Sequence, residues 1–319
     1  PLHVFMEVLS FENEELPQIS FDRLIIDWND LAKDRKLNLF LLNTKNHTLY
    51  RTSVEAQNEN VFEDALVEPI NKSSEYMEYL IENQLSIYST KNQMESVKYM
   101  YYIDELSIDQ FKKVLFEDPG IVKKSVESVT LEKYNDGMSF MTVDTRSRFL
   151  NYVYPASEGI AEILPSDLVK DSFNFINYHG GFNSDFRIST INKDMHTVEY
   201  RFYYQGFPVF SDETITKLTT TWGDKQVYKY RRPYYVLEMD IPSEMEIKEL
   251  PAGEEVINDL IENRQYDFTN VNDLVLGYYL QQSSGLRVFE LMPSWFVITE
   301  TGWEPIDLSK QGGMNNGLE

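Results

Sequence analysis

Residues 197–210, TVEYRFYYQGFPVF, alternate without a break up to Gly206. Val198, Tyr200, Phe202 and Tyr204 fall on one side of an extended chain, and Glu199, Arg201, Tyr203 and Gln205 on the other. A period of two built from bulky and β-branched residues specifies a strand, because a helix would scatter the same side chains around its circumference. The pattern recurs in VKYMYYIDEL (97–106), in ITKLTTTWGDKQVYKYRR (215–232), which turns at Gly223-Asp224, and in LVLGYYLQ (274–281). With 21 Tyr and 19 Phe in 319 residues, such a chain has to bury large rings on the faces of sheets.

The remaining segments fill in around these strands. FDRLIIDW (21–28) and LNLFLLNTKNHTLYRTSV (37–54) read as strands, the second folded back at NTKNHT, and a polar, helix-prone stretch from Val61 to Asn83 is interrupted by Pro69. Ser107 with Gln110 has capping-box spacing, and Ile108, Phe111 and Leu115 then share a helical face that DPG at 118–120 terminates. Two strands flank the NDG turn at 135–137 and finish near NYVYPASEG. A helix capped by Ser166 turns Leu168, Val169, Ser172, Phe173 and Ile176 inward, and PAGEEVINDLIEN gives another with Val256, Ile257, Leu260 and Ile261 inward. LRVFELMPSWFVIT (286–299) and GWEPID close the ordered part, and KQGGMNNGLE is expected to be unstructured.

Runs of strands broken by isolated helices, with no βαβ alternation, predict an α+β fold of mainly antiparallel sheets with a few packed helices. The length favours two domains, since single cores stop growing near roughly 250–300 residues. The Pro-, Ser- and Gly-bearing stretch from Pro155 to Pro165 is the expected boundary, giving domains 1–160 and 161–319.

Charge and composition exclude several classes of function. A net charge of −23 repels phosphate backbones, and the densest basic segment, KQVYKYRRP, is short and strand-like, so nucleic acid is not an expected partner. The absence of cysteine removes disulfides, thiolate metal sites and cysteine nucleophiles. No His-Glu-x-x-His or EF-hand spacing occurs, and the acidic FENEE (11–15) reads as a solvated face, so neither metal nor cofactor is expected. No apolar run approaches the roughly 18 residues of a membrane span. The chain begins at PLHVF without an initiator methionine and is expected to be a piece of a longer protein.

FINYHGGFNSDFR (175–187) places one of four histidines before two glycines. A His-Gly-Gly loop can build an oxyanion hole, but the Gly-x-Ser-x-Gly elbow is absent, and Ser172 and Ser184 flank His179 on a helix and in a loop. The plainer reading makes His179 and Gly180 a helix terminus, with glycine as the left-handed cap and histidine where the macrodipole favours a cation. The adjacent pairs Tyr101–Tyr102, Tyr203–Tyr204 and Tyr234–Tyr235 put one ring on each face of a strand. This implies either a sheet covered on both sides or an aromatic binding surface.

FNFINYHGGFNSDFRI, YQGFPVF, TTTWGDKQVYKYRRP, VLGYYL and LMPSWFVI, in that order, resemble the YycH family, as do FDRLIIDWND and MYYIDELSIDQFKKVLFED nearer the start. YQGFPVF with the hairpin after it also looks like the propeptide modules of metalloprotease precursors. The YycH resemblance implies an extracytoplasmic protein of Gram-positive bacteria held by one N-terminal transmembrane helix. It implies partnership with the paralogue YycI and with the sensor histidine kinase WalK (YycG), which controls cell-wall metabolism. It further implies three extracytoplasmic domains, of which this chain looks like the second and third, and no catalytic residues. The function expected is therefore non-enzymatic regulation of the kinase through protein contacts, the alternatives being a serine hydrolase using His179 or a propeptide-like protease inhibitor. Gly206 and Pro208 suggest a sheet edge, which makes Arg187, Arg201, Tyr204, Phe207 and Phe210 the candidate contact surface.

Overall fold

The structure, a computed structural model, describes residues 9–11, 19, 21, 23–43, 46–56, 59–80, 86–159, 163–224, 226–262, 270–283, 287–299 and 301–307. The chain divides into two compact units, residues 1–86 and 87–319. FENEE beyond Phe11 and the tail KQGGMNNGLE lie outside the described residues.

In the first unit, β1 (Leu9–Phe11), β2 (Arg23–Asp27), β3 (Lys36–Asn43) and β4 (Thr48–Ala56) form an antiparallel sheet in the order β1-β4-β3-β2. Period-two patterning explains its core: Leu37 and Leu39 of β3 point the same way as Val54 of β4 and pack with Leu31, Leu24, Ile26, Trp28 and Phe62. The helix-prone stretch differs from expectation. Helical turns run Glu59–Phe62, Glu63–Val67 and Glu68–Asn71, the middle one π-type. Pro69 opens the last of them, where proline's preset φ fits the first turn of a helix. Beyond it, Tyr76–Tyr79 is a strand, β5, and residues 81–83 are not among those described.

The second unit holds β6 (Ile87–Thr90), β7 (Met94–Glu105), β8 (Lys123–Val126), β9 (Leu131–Asn135), β10 (Phe140–Asp144), β11 (Phe149–Val153) and β12 (Phe186–Asn192). After them come β13 (Thr197–Tyr204), β14 (Phe207–Phe210), β15 (Lys217–Trp222), β16 (Val227–Pro233), β17 (Tyr235–Asp240) and β18 (Glu246–Leu250), then β19 (Val271–Gln282), β20 (Val288–Thr299) and β21 (Gly302–Pro305). Fifteen of these strands join in one sheet, whose main path runs β17-β7-β20-β19-β14-β13-β15-β16-β11-β10-β9-β8. All the pairings described in it are antiparallel except β14 with β19, so the expected α+β class stands.

Two of the cores along this sheet are made of described residues. Helices α1 (Ile108–Leu115) and α2 (Pro165–Tyr178) pack on β9, β10, β11, β13, β15 and β16, where Phe111, Leu168, Ile176, Met141, Leu150, Leu218 and Tyr230 are buried together. Ile103, Phe202, Val209, Tyr278, Leu280, Phe289 and Leu291 form the other core, around β7, β13, β14, β19 and β20. Each such side chain contributes about 1.5–3 kcal/mol by leaving water. Tyr234 belongs to the helix-side core and its neighbour Tyr235 to the other, so the chain passes between cores within one residue step. A third helix, α3 (Gly253–Glu262), buries Val256, Ile257 and Leu260, whereas Ile261, expected inward, is 53% exposed.

Three further expectations change. The boundary read at 160/161 falls inside the second unit, because β11 pairs residue for residue with β16 and β7 pairs with β17, β18 and β20. Pro155–Ser157 is a single 3-10 turn in a connection, and its composition marks a change of direction without marking the limit of a core. α2 starts at Pro165, with Leu164 as N-cap and Ser166 already inside the first turn. Of its predicted inward face, Phe173 is instead half-exposed and stacks on Phe182 at 5.4 Å. Ser107 does cap α1, its Oγ accepting from Gln110 N at 3.4 Å.

Gly277 marks the tightest approach between β14 and β19, since a Cβ there would sit 2.5 Å from the Pro208 carbonyl oxygen and 3.1 Å from the Phe210 ring. Gly277→Ala is expected to destabilise the second unit by about 1–3 kcal/mol, the range for overpacking. Urea unfolding checks this: the midpoint should fall with the m-value unchanged.

Candidate functional site

The His-Gly-Gly stretch ends α2 and forms a socket for an arginine. His179 N–H donates to the Phe175 and Ile176 carbonyls at 3.0 and 3.1 Å, and Gly181 N–H reaches back to the Ile176 carbonyl at 2.8 Å. Gly180 and Gly181 have φ of 105° and 69°, which terminates the helix in a glycine cap. Into this cap inserts Arg232 of β16, only 1% exposed. Its Nη1 donates to the carbonyls of His179 at 3.4 Å and Gly181 at 3.2 Å and to Tyr230 Oη at 3.0 Å. Nε donates to the Pro233 carbonyl at 3.1 Å and Nη2 to Asn183 Oδ1. The guanidinium lies 4.7 Å over the Phe111 ring. A Cβ at Gly180 would collide with the Phe111 ring and sit 2.7 Å from Arg232 Nη1, so glycine is required by space as well as by φ.

This arrangement favours the helix-terminus reading of the motif. An oxyanion hole needs free N–H groups, and the Gly181 N–H is already used by the Ile176 carbonyl. His179 stacks on Phe175 at 3.9 Å and its Nδ1 donates to the Phe175 carbonyl at 2.7 Å. Burial pushes its imidazole below the ordinary value, outweighing that hydrogen bond, so the cation expected at this helix end is disfavoured. The negative helix end holds Arg232 instead. Ser172 is fully buried and accepts from Thr220 Oγ1 at 2.9 Å and Trp222 Nε1 at 2.8 Å. Among the described residues, neither Ser172 nor Ser184 pairs with His179.

The candidate contact residues separate into two groups. Arg187 is exposed on β12, bridged to Asp185 at 2.7 Å and stacked 4.5 Å over Tyr203. Tyr204 and Phe207 are half-buried on either side of the Gln205-Gly206 turn, whose φ angles of 48° and 86° suit a two-residue hairpin. Phe210, at 3% exposure, faces no partner, and Arg201, at 9%, lines a small cavity and does not stand on the outer surface. Arg201 Nη1 donates to the Val209 carbonyl at 3.0 Å and its guanidinium lies 4.3 Å over Phe210, which itself packs on Phe296 at 4.3 Å. The inferred edge is absent because β14 pairs with β13 on one side and with β19 on the other. Pro208 lies in that interior strand opposite Tyr203.

Sequence reading missed what surrounds the hairpin tip. Tyr101 and Tyr204 share a hydroxyl contact of 2.8 Å, Gln205 Nε2 donates to Tyr99 Oη at 3.0 Å, and Tyr278 meets Ser96 at 3.1 Å. The rings of Tyr99, Tyr101 and Tyr278 meet Tyr204 edge-on at 5.1, 5.8 and 5.4 Å. Desolvation, then the Tyr101 hydrogen bond, raise the Tyr204 phenol far above its usual value. Tyr99 and Tyr101 alternate on β7 with outward Tyr102, which is 43% exposed. The adjacent pairs thus mark a sheet covered on both faces at Tyr234–Tyr235 and open on one at Tyr101–Tyr102. Among the described residues, no group of three or more His, Asp or Glu side chains could hold a metal ion.

Comparison with known proteins gives concordant matches. Residues 82–313 match the family described as YycH protein, C-terminal domain. A Bacillus subtilis (strain 168) protein, the two-component system WalR/WalK regulatory protein YycH, is 22% identical over 329 residues, covering 100% of this chain and 71% of its own length. The crystal structure of YycH from Bacillus subtilis superposes with a TM-score of 0.76 at 19% identity, covering 97% of this chain and 77% of that one, and so shares the fold.

Replacing Arg232 by Met is expected to cost about 3–5 kcal/mol, because the His179 and Gly181 carbonyls lose their donor in a buried site. His179 supplies a separate signature. Its folded-state pKa is depressed, so its contribution is fully present above the ordinary imidazole value of about 6.5 and is lost as pH falls from there through the folded value. Urea midpoints measured from pH 8 to 5 should decline through this window in the parent chain and decline less in His179→Gln.

Proposed function

Because the chain belongs to the YycH family, we propose that it is a non-enzymatic regulator of the WalK sensor histidine kinase, working through protein contacts with the kinase and with the paralogue YycI. The observation that carries this reading is the match of the whole chain to a Bacillus subtilis protein named for WalR/WalK regulation. The arrangement around His179 is consistent with it, since the histidine, the glycines and Ser172 are all engaged in holding α2 to the sheet.

A regulator of this kind acts by binding one kinase state better than another, and a tenfold shift between states needs only about 1.4 kcal/mol of difference. No helix among the described residues is long and apolar enough to cross a membrane. In our reading, a transmembrane helix preceding these residues holds them at the extracytoplasmic face of the membrane. Tethering of this sort raises effective concentrations to about the millimolar range for short linkers, so weak contacts by these domains suffice. The surface available for such contacts includes Tyr102, Arg187 and the Tyr204–Phe207 hairpin tip.

The test is WalK autophosphorylation in proteoliposomes containing YycI, comparing the anchored protein, this chain alone, and the anchored protein with a scrambled membrane segment. A change in phosphorylation with the intact anchored protein only is the expected result. An equal change with this chain alone would overturn the tethering reading, and no change with any of the three would overturn regulation of the kinase.

A further inference from the structure

The face of the second unit's sheet opposite α1 and α2 carries cations that its strongly acidic composition does not foreshadow. Alternation sends Val198, Tyr200, Leu218 and Tyr230 into the helix-side core, which leaves Glu199, Arg201, Lys217, Thr219 and Arg231 on the other side. Strand register sets these five together: Glu199 opposite Thr219, Arg201 opposite Lys217, and Thr219 opposite Arg231. A cavity of about 230 Å³ opens over them, completed by the 211–216 loop and by Trp303 of β21.

The charges within it do not cancel. Lys217 Nζ pairs with Glu199 at 2.5 Å, which uses the one carboxylate of the lining. Arg201 is clamped between the Val209 carbonyl and the Phe210 ring by a single N–H, so its remaining donors have no acceptor among the described residues. Arg231 lies 4.5 Å over the Phe149 ring and has no acceptor among the described residues either. Burial disfavours the charged form of both guanidiniums; the Glu199 carboxylate offsets this in part at Arg201, whereas at Arg231 desolvation acts alone. Two guanidiniums whose planes are fixed by aromatic rings, beside the Thr219 hydroxyl, present donors to an oxyanion.

Size and field select among oxyanions. The volume lies below the roughly 300–1,000 Å³ of drug-sized pockets, which fits a group of amino-acid dimensions. The net charge of −23 penalises a polyvalent anion more than a monovalent one. Trp303 offers an apolar wall for a short aliphatic stem. We propose that this cavity binds a carboxylate on a short aliphatic stem, with Arg231 as its principal anchor and Arg201 as a fixed second donor. The carboxylate can come from a free amino acid or from an acidic residue of a partner protein. The inference rests on the cavity alone and stands whether or not the kinase is the target.

The test is an NMR titration of this chain that follows the Trp303 indole N–H, assigned with Trp303→Phe. The probes are N-acetylglutamate amide, a blocked Asp-Glu-Asp-Glu peptide and inorganic phosphate. Saturable shifts with the two carboxylate probes are expected, at least tenfold weaker in Arg231→Gln and unchanged in Lys229→Gln, a neighbouring exposed cation outside the lining. Tighter binding of the peptide assigns the carboxylate to a protein partner, and equal or tighter binding of the amino-acid probe assigns it to a small molecule. Shifts that fail to saturate, that are equal in Arg231→Gln, or that are larger and tighter with phosphate would overturn the proposal. Phosphorylation assays on the kinase are not involved, so failure here and failure of the regulatory reading are separable.

Discussion

A charged guanidinium sealed inside a core needs acceptors, and Arg232 finds at least one for each of its three nitrogens, in part by using the turn that ends a helix. The carbonyls of the cap residue His179 and of Gly181 just past it are two of the acceptors, beside Tyr230 Oη, the Pro233 carbonyl and Asn183 Oδ1, and Gly180 is the residue that lets the guanidinium approach. Neither partner is satisfied alone: the helix end would carry orphan carbonyls and the arginine an uncompensated charge. The packing of α2 on β16 is therefore specified by direction as well as by hydrophobic area. Phe111 of α1 lies under the same guanidinium, so one side chain locks two helices and the sheet together.

Arg231 and Arg232 are consecutive, and strand geometry sends them to opposite faces. One is consumed internally by a helix terminus and the other lines an outward cavity on a sheet. The chemistry is the same on both sides, a guanidinium fixed by an aromatic ring. The difference is that one side has carbonyls in reach and the other has open space. Structure and binding capacity thus derive from a single dipeptide, read twice by the pleat.

Features that depend on neighbours in sequence were legible. The Ser107 cap, the hairpins at NTKNHT and Gly223-Asp224, and the strand character of the tyrosine-rich runs each rest on a few adjacent residues, as does the helix terminus at His179. Features that depend on remote pairing were not. Phe210 and Arg201 looked available because nothing in YQGFPVF announces that β19, some 70 residues later, will lie beside β14. The 160/161 boundary failed for the same reason, since β11 finds β16 across the connection that composition had marked. Ile261 and Phe173 fall at the margins of their helical stripes, where a few degrees decide burial. One signal was available and unused: Tyr230 and Arg232 share a face, and an arginine at a core position requires an acceptor cluster such as a helix end.

The long strand β7 has a further implication for how the molecule comes into being. Its pairing partners, β17, β18 and β20, all lie well over a hundred residues downstream. Until those partners are in place the segment 94–105 has both hydrogen-bonding edges bare and Tyr99, Tyr101 and Ile103 uncovered; β17 can close one edge once residue 240 is available, and the other waits for residues 288–291 of β20. A chain that ends before β20 leaves that edge of β7 open, and the second unit cannot close domain by domain from its N-terminus. Reaching the native sheet therefore depends on one edge of a twelve-residue strand staying unpaired until residues 288–291 arrive.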